Sequence, residues 1–172
     1  MKIFNLIIMI EEKLFSLGVK LPSAPKAIGS YVPAIVIGNL VFVSGQIPIE
    51  LSSLSSELKF RGKVGKDISL EDGQKAARLC TINALAHLKS TIGSLDNINK
   101  FVKVSGFINC EPSFTEHHLV LNGASNFLLQ LFDERGKHAR TVVGMNSLPL
   151  NSAVEVDFVV EKNIIKPTDI SE

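Results

Sequence analysis

The stretch Ala34-Ile-Val-Ile-Gly-Asn-Leu-Val-Phe-Val43 decides the fold. Two runs of β-branched and aromatic residues flank Gly38-Asn39, a pair that tolerates the positive φ of a two-residue hairpin turn, so a strand is expected on each side. Downstream, Ser69-Leu-Glu-Asp72 sets a hydroxyl three residues before a carboxylate. Such a pair caps a helix start, and acidic side chains suit its positive end. The helix expected there runs from about Leu70 to about Ile92 and stops at Gly93-Ser94. Ala77, Cys80, Ala84 and Leu88 recur at three and four residues, which predicts that the face carrying Cys80 is buried. Phe101 to Ile108 reads as a strand, and Thr115 to about Glu134 as a second long helix with Gly136 as its C-terminal cap. Two further strands, 139–145 and 153–160, are joined by a turn at Leu148-Pro-Leu-Asn151. The order β-β-α-β-α-β-β argues an α+β sheet with both helices on one face. Val41 to Val43 and Val142-Val143 are apolar on both sides, so the face without helices is expected to meet another subunit.

Around this frame lie a short helix from Ile10 to Leu17 closed by Gly18, a turn-rich connector from Leu21 to Pro25, and a Ser- and Gly-rich loop from Leu51 to Lys66 holding a short extended segment. The chain of 172 residues and 18.7 kDa is expected to form one domain over 21–163, with an N-terminal extension and short helix at 1–20 and a tail at 164–172. Eighteen Lys and Arg against 17 Asp and Glu leave a net charge of +1, too little to gather a phosphate polymer. Cys80 and Cys110 are too few and too far apart for a disulfide framework or a zinc knuckle, and are expected to be reduced in a cytoplasmic protein. The apolar run from Ile3 to Ile10 is too short to span a bilayer and meets Glu11-Glu12 where a signal peptide would need small residues, so export is not expected. Met9, just before the helical segment, is an alternative start to Met1.

Phosphate loops, nucleophile elbows and His-Glu-x-x-His are missing from the sequence. His117 and His118 are adjacent, and neighbours on a helix diverge by about 100°, so they do not share a ligand. No metal site and no cofactor are expected. The informative stretch is Gly136-Lys-His-Ala-Arg-Thr-Val-Val-Gly144. Arg140 opens an otherwise apolar strand and reads either as a surface residue or as a planar guanidinium receiving a carboxylate bidentately at a subunit junction. Glu155 alternates with Val154 and Val156 and so shares a strand face with Asp157, either as an exposed carboxylate or as a site residue.

Ile28-Gly-Ser-Tyr31, Val43-Ser-Gly-Gln-Ile-Pro48, Ala139-Arg140, Leu148-Pro149 and Val154-Glu155, in this order over about Leu21 to Glu161, resemble the reactive intermediate deaminase family, also called RidA or YjgF. Older names for that family are L-PSP endoribonuclease and translation initiation inhibitor. The resemblance implies a chorismate-mutase-like fold with a mixed sheet, assembled as a homotrimer whose sheets line a central barrel with the helices outside. It further implies hydrolysis of 2-enamino and 2-imino acids of the 2-aminoacrylate type to 2-keto acids and ammonia, without a cofactor, in three sites between subunits. By motif, Arg140 matches the arginine that holds the substrate carboxylate, and Glu155 the acid that positions the attacking water. Tyr31, Ser44, Gly45 and Asn122 match residues bordering the substrate.

The residue types suit that chemistry, because an imine is already electrophilic and needs only its carboxylate held and one water oriented. Val142 stands where many deaminases have cysteine, and His138 where proline usually precedes Ala-Arg. His138 is expected to be either an exposed loop residue or an extra proton donor. A binding module for 2-keto acids of the same fold would keep the carboxylate clamp without turnover. The older ribonuclease reading finds no basic stripe and no paired catalytic histidines.

Overall fold

The computed structural model describes residues 9–24, 30–51 and 56–164. The stretches 1–8, 25–29, 52–55 and 165–172 lie outside the described residues, and with them most of the apolar N-terminal run, Pro25, Ile28 and most of the tail. A short helix α1 (Ile10–Ser16) comes first. The expected hairpin follows as β1 (Ala34–Ile37) and β2 (Leu40–Gln46), with Gly38 at φ +62° in its turn. After β3 (Ile49–Leu51) and β4 (Ser56–Leu58) come α2 (Leu70–Ile92), β5 (Ile98–Asn109), α3 (His117–Phe132), β6 (Ala139–Met145) and β7 (Val154–Lys162).

Five strands form one mixed sheet in the order β1-β2-β7-β5-β6, with β5 and β6 parallel across the α3 connection and the other pairs antiparallel. The turn at Leu148 to Asn151 therefore does not make a hairpin. It carries the chain from the edge strand β6 past β5 to β7 in the centre. The loop expected over 51–66 holds more order than its composition suggests: β3 and β4 pair as a separate two-stranded sheet, and Asn83 Nδ2 donates to the carbonyls of Ile47 and Ile49 at 3.2 and 2.9 Å. Ser and Gly content marked the turns there but hid the pairing, because strands of three residues have no periodicity to read.

Helix α2 begins as anticipated, with Ser69 Oγ accepting from the Asp72 N–H at 3.1 Å, and ends at Gly93 with φ +84°. Ala77, Cys80, Ala84 and Leu88 are all buried. Helix α3 starts two residues later than expected, at His117. It crosses α2 so closely that a β-carbon on Gly123 would collide with the Gln74 carbonyl. Both helices cover one face of the sheet, whose residues Val104, Ile108, Val154, Val156, Phe158 and Val160 are buried beneath them. Phe101 stacks edge-on with Phe132 at 5.0 Å and with Phe158 at 6.3 Å at one end of this core. Ile10 and Leu14 of α1 are buried in it as well. Ile35, Phe42, Val102, Val143 and Met145 are exposed, a set of large apolar side chains on strands. Among the described residues no helix is long and apolar enough to cross a membrane.

Candidate functional site

Between β2 and β7 the register shifts from Val43 to Gln46, so Ser44 and Gly45 form a bulge in the sheet. The Glu155 side chain fills the space this opens: a β-carbon on Gly45 would fall on Glu155 Oε1. Ser44 donates its hydroxyl proton to the Val32 carbonyl at 2.8 Å and its N–H to the Pro33 carbonyl at 2.9 Å, which ties the Tyr31 segment against the bulge. Tyr31, Ser44, Gly45 and Glu155 thus line one cavity of about 390 Å³, with Ile47, Pro149 and Leu150 as its apolar walls. Leu150 sits in the left-handed region at φ +56°, a strained state for a branched apolar residue of the kind that clusters at binding surfaces. Burial raises the Glu155 carboxyl above its ordinary range, and the neighbouring Asp157 charge adds to the shift.

Arg140 and Asn122 lie elsewhere. Arg140 is half-buried against α3, where its Nη1 donates to Asn122 Oδ1 at 2.8 Å and to Ser125 Oγ at 3.2 Å, and its Nη2 donates to the His118 carbonyl at 3.2 Å. Of five guanidinium donors, three are engaged. Nε–H and one Nη2–H, on adjacent nitrogens, have no partner among the described residues. The sheet register explains why this group and the cavity are apart. Arg140 pairs with Val104 and Val104 with Phe158, both under the helices, whereas Glu155 pairs with Phe107 and Phe107 with Val143 on the opposite face. Arg140 and Glu155 therefore project from opposite faces of one sheet, two strands apart.

His138 is neither an exposed loop residue nor a free proton donor. Its Nδ1 lies 2.7 Å from the Gly136 carbonyl and its Nε2 3.0 Å from Ser125 Oγ, so both ring nitrogens are engaged. Burial lowers its pKa, and the Arg140 charge does so further, against the opposing pull of the Gly136 carbonyl. Of the adjacent histidines, His118 is exposed while His117 Nε2 lies 3.3 Å from Cys110 Sγ, in keeping with their diverging directions. Both cysteines are free and buried. Among the described residues there is no group of three or more side chains that could hold a metal. Ser125 and Leu150 carried no sequence signal as site residues, since a helix serine and an apolar turn residue become part of a site only through packing.

A mixed sheet backed on one face by two helices packed side by side, with an acid over a bulge and a tethered arginine on the sheet edge, defines a chorismate-mutase-like α+β protein. The family model described as YjgF/chorismate mutase-like, putative endoribonuclease matches residues 11–162, and the chain belongs to that family. It is similar to the protein TCP17 of Trypanosoma cruzi, at 38% identity over 90% of this chain and 94% of that protein. It is similar also to a 2-iminobutanoate/2-iminopropanoate deaminase of Salmonella typhimurium, at 32% identity over 80% of this chain and 91% of the other. A crystal structure of a protein of unknown function from Agrobacterium tumefaciens superposes with a TM-score of 0.81 at 43% identity, covering 91% of this chain and 93% of that one. The family includes imine deaminases.

Proposed function

We propose that this chain hydrolyses 2-imino and 2-enamino acids to 2-keto acids and ammonia, at sites formed between the subunits of a homotrimer. The observation that carries the reading is the placement of Arg140 and Glu155 on opposite faces of one sheet. No single chain can apply both to one small substrate, whereas two copies meeting edge to face can. The exposed apolar side chains Phe42, Val143 and Met145 supply the surface for that meeting.

In this reading the substrate carboxylate takes the free Nε–H and Nη2–H of Arg140, a bidentate pair that fixes orientation as well as charge. The imine carbon then faces Glu155 of the neighbouring copy. Ionised Glu155 accepts a proton from water as the water oxygen bonds to the carbon of the nitrogen-protonated imine, whose C=N double bond becomes the C–N single bond of a neutral carbinolamine. Glu155 returns that proton to nitrogen and takes up the hydroxyl proton as the C–N bond breaks, so that ammonia leaves and the ketone forms. Tyr31 borders the same cavity, Ser44 and Gly45 shape it, and Asn122 steadies Arg140.

The test is the rate of loss of semicarbazide-trappable imine while an amino-acid oxidase generates it, with and without the protein. Acceleration by the wild type that Arg140→Ala abolishes supports the reading. No acceleration with any substrate side chain, in a protein that still binds 2-keto acids, replaces it with a binding module.

A further inference from the structure

Ser125 belongs to no motif quoted for the site and His138 stands just before the Ala139-Arg140 pair, yet together they form a hydrogen-bonded chain that ends on Arg140. Its direction follows from donor and acceptor chemistry. The Gly136 carbonyl only accepts, so at 2.7 Å His138 Nδ1 carries the ring proton. Nε2 of the neutral ring is then an acceptor, and at 3.0 Å it receives the Ser125 hydroxyl proton. With its single proton committed there, Ser125 Oγ turns its lone pairs toward Arg140 and accepts from Nη1 at 3.2 Å. Asn122 Oδ1 takes the other Nη1 proton and the His118 carbonyl one on Nη2, so three acceptors on α3 fix the plane of the guanidinium. Ser125 is almost wholly buried and His138 half-buried, so water competes poorly for these contacts.

We propose that Ser125 and His138 are positioning residues that lock the Arg140 guanidinium with its Nε–H and Nη2–H edge presented to a substrate carboxylate, His138 acting only as the acceptor that sets the serine hydroxyl. The inference rests on the reading of Arg140 as the carboxylate anchor. It assigns His138 a role that needs Nε2 alone: the bond from Nδ1 to Gly136 selects the tautomer and is otherwise dispensable.

Two substitutions separate this from a structural role. In His138→Gln the amide oxygen reaches the place of Nε2 and can accept from Ser125, while the bond to Gly136 is lost. His138→Asn keeps a donor for Gly136 and loses the acceptor for Ser125. With pyruvate as the carboxylate probe, titrated by calorimetry, His138→Gln is expected to bind within about 3-fold of the wild type. His138→Asn and Ser125→Ala are expected to bind at least about 10-fold more weakly with melting temperatures near that of the wild type, the size of one lost charge-assisted hydrogen bond. The reverse order, Asn retaining affinity and Gln losing it, overturns the proposal and makes His138 an anchor for the 136–139 turn.

If wild type and Arg140→Ala bind pyruvate equally, the carboxylate reading fails instead. The lock is then judged on the free protein by the side-chain nitrogen NMR signals of Arg140. Separate Nη1 and Nη2 signals in the wild type and in His138→Gln, merged by rotation in Ser125→Ala and His138→Asn, uphold it. Merged signals in the wild type, or signals indifferent to these substitutions, overturn it.

Discussion

Gly45 has no β-carbon, and the Glu155 carboxylate occupies the place one would take. The backbone at Gly45 is not in the left-handed region, so its demand is for space and not for conformation. Gly45→Ala is therefore expected to fold with little loss of stability while pushing the acid out of line. A misplacement of about 1 Å at a reacting group costs on the order of 100-fold in rate. Steady-state kinetics alongside a melting curve checks this, and an unchanged kcat would show that Glu155 has no positional task.

Glu155 is held at a cost. Its folded carboxyl binds a proton more tightly than the unfolded one, through burial first and Asp157 second, so its charged form at neutral pH opposes folding. Glu155→Gln should raise the melting temperature at pH 7 by roughly 1–3 °C and abolish turnover. A fall in melting temperature would mean the carboxylate is stabilised by contacts this account lacks.

Acid should act with the opposite sign through two histidines. His87 and His138 both have pKa values lowered from 6.5 by burial. Between the unfolded and folded values the unfolded chain binds more protons. Stability is thus fully present above about pH 6.5 and falls as pH drops through that window. Urea midpoints at pH 7.5, 6.5 and 5.5 measure the slope, and replacing both histidines with glutamine should flatten it.

Where α2 and α3 cross, Gly123 lies against the Gln74 carbonyl, and backbone has little freedom to yield. Gly123→Ala should separate the helices and cost about 1–3 kcal/mol, read from the urea midpoint. Because α3 also carries Asn122 and Ser125, pyruvate affinity should fall with it.

The two thiols should differ in reactivity. Burial raises both thiols, but Cys80 is completely enclosed and held far above the usual range, whereas Cys110 lines an open cavity of about 400 Å³ beside His117. Iodoacetamide on the native protein should add one label, mapped by peptide mass to Cys110. Labelling at Cys80 would show that the sheet–helix core opens more readily than its packing implies.

The hairpin at Gly38-Asn39 and helix α2 were legible because each is decided locally, by a turn pair and by a serine cap with a regular apolar face. The pairing of β6 with β5 was not, since strands adjacent in sequence and joined by a short turn resemble a hairpin until tertiary contacts separate them. Arg140, Glu155 and Tyr31 became candidates through family motifs, yet the placement of Arg140 and Glu155 on opposite sheet faces depends on register, which no motif records. His138 shows the limit most plainly. Its neighbours in sequence suggested a loop, and only the serine brought beside it by α3 gives its ring two partners.

In the proposed trimer, Arg140 of one copy and Glu155 of another serve the same site. Arg140→Ala and Glu155→Gln should each be inactive alone. Unfolded together in equal amounts and refolded, three-quarters of random trimers are mixed, each with one intact site in three, so about a quarter of wild-type deaminase activity should return. Recovery near that level is the predicted result. Activity no higher than that of the separate variants, in a mixture shown to have exchanged subunits, would contradict the account.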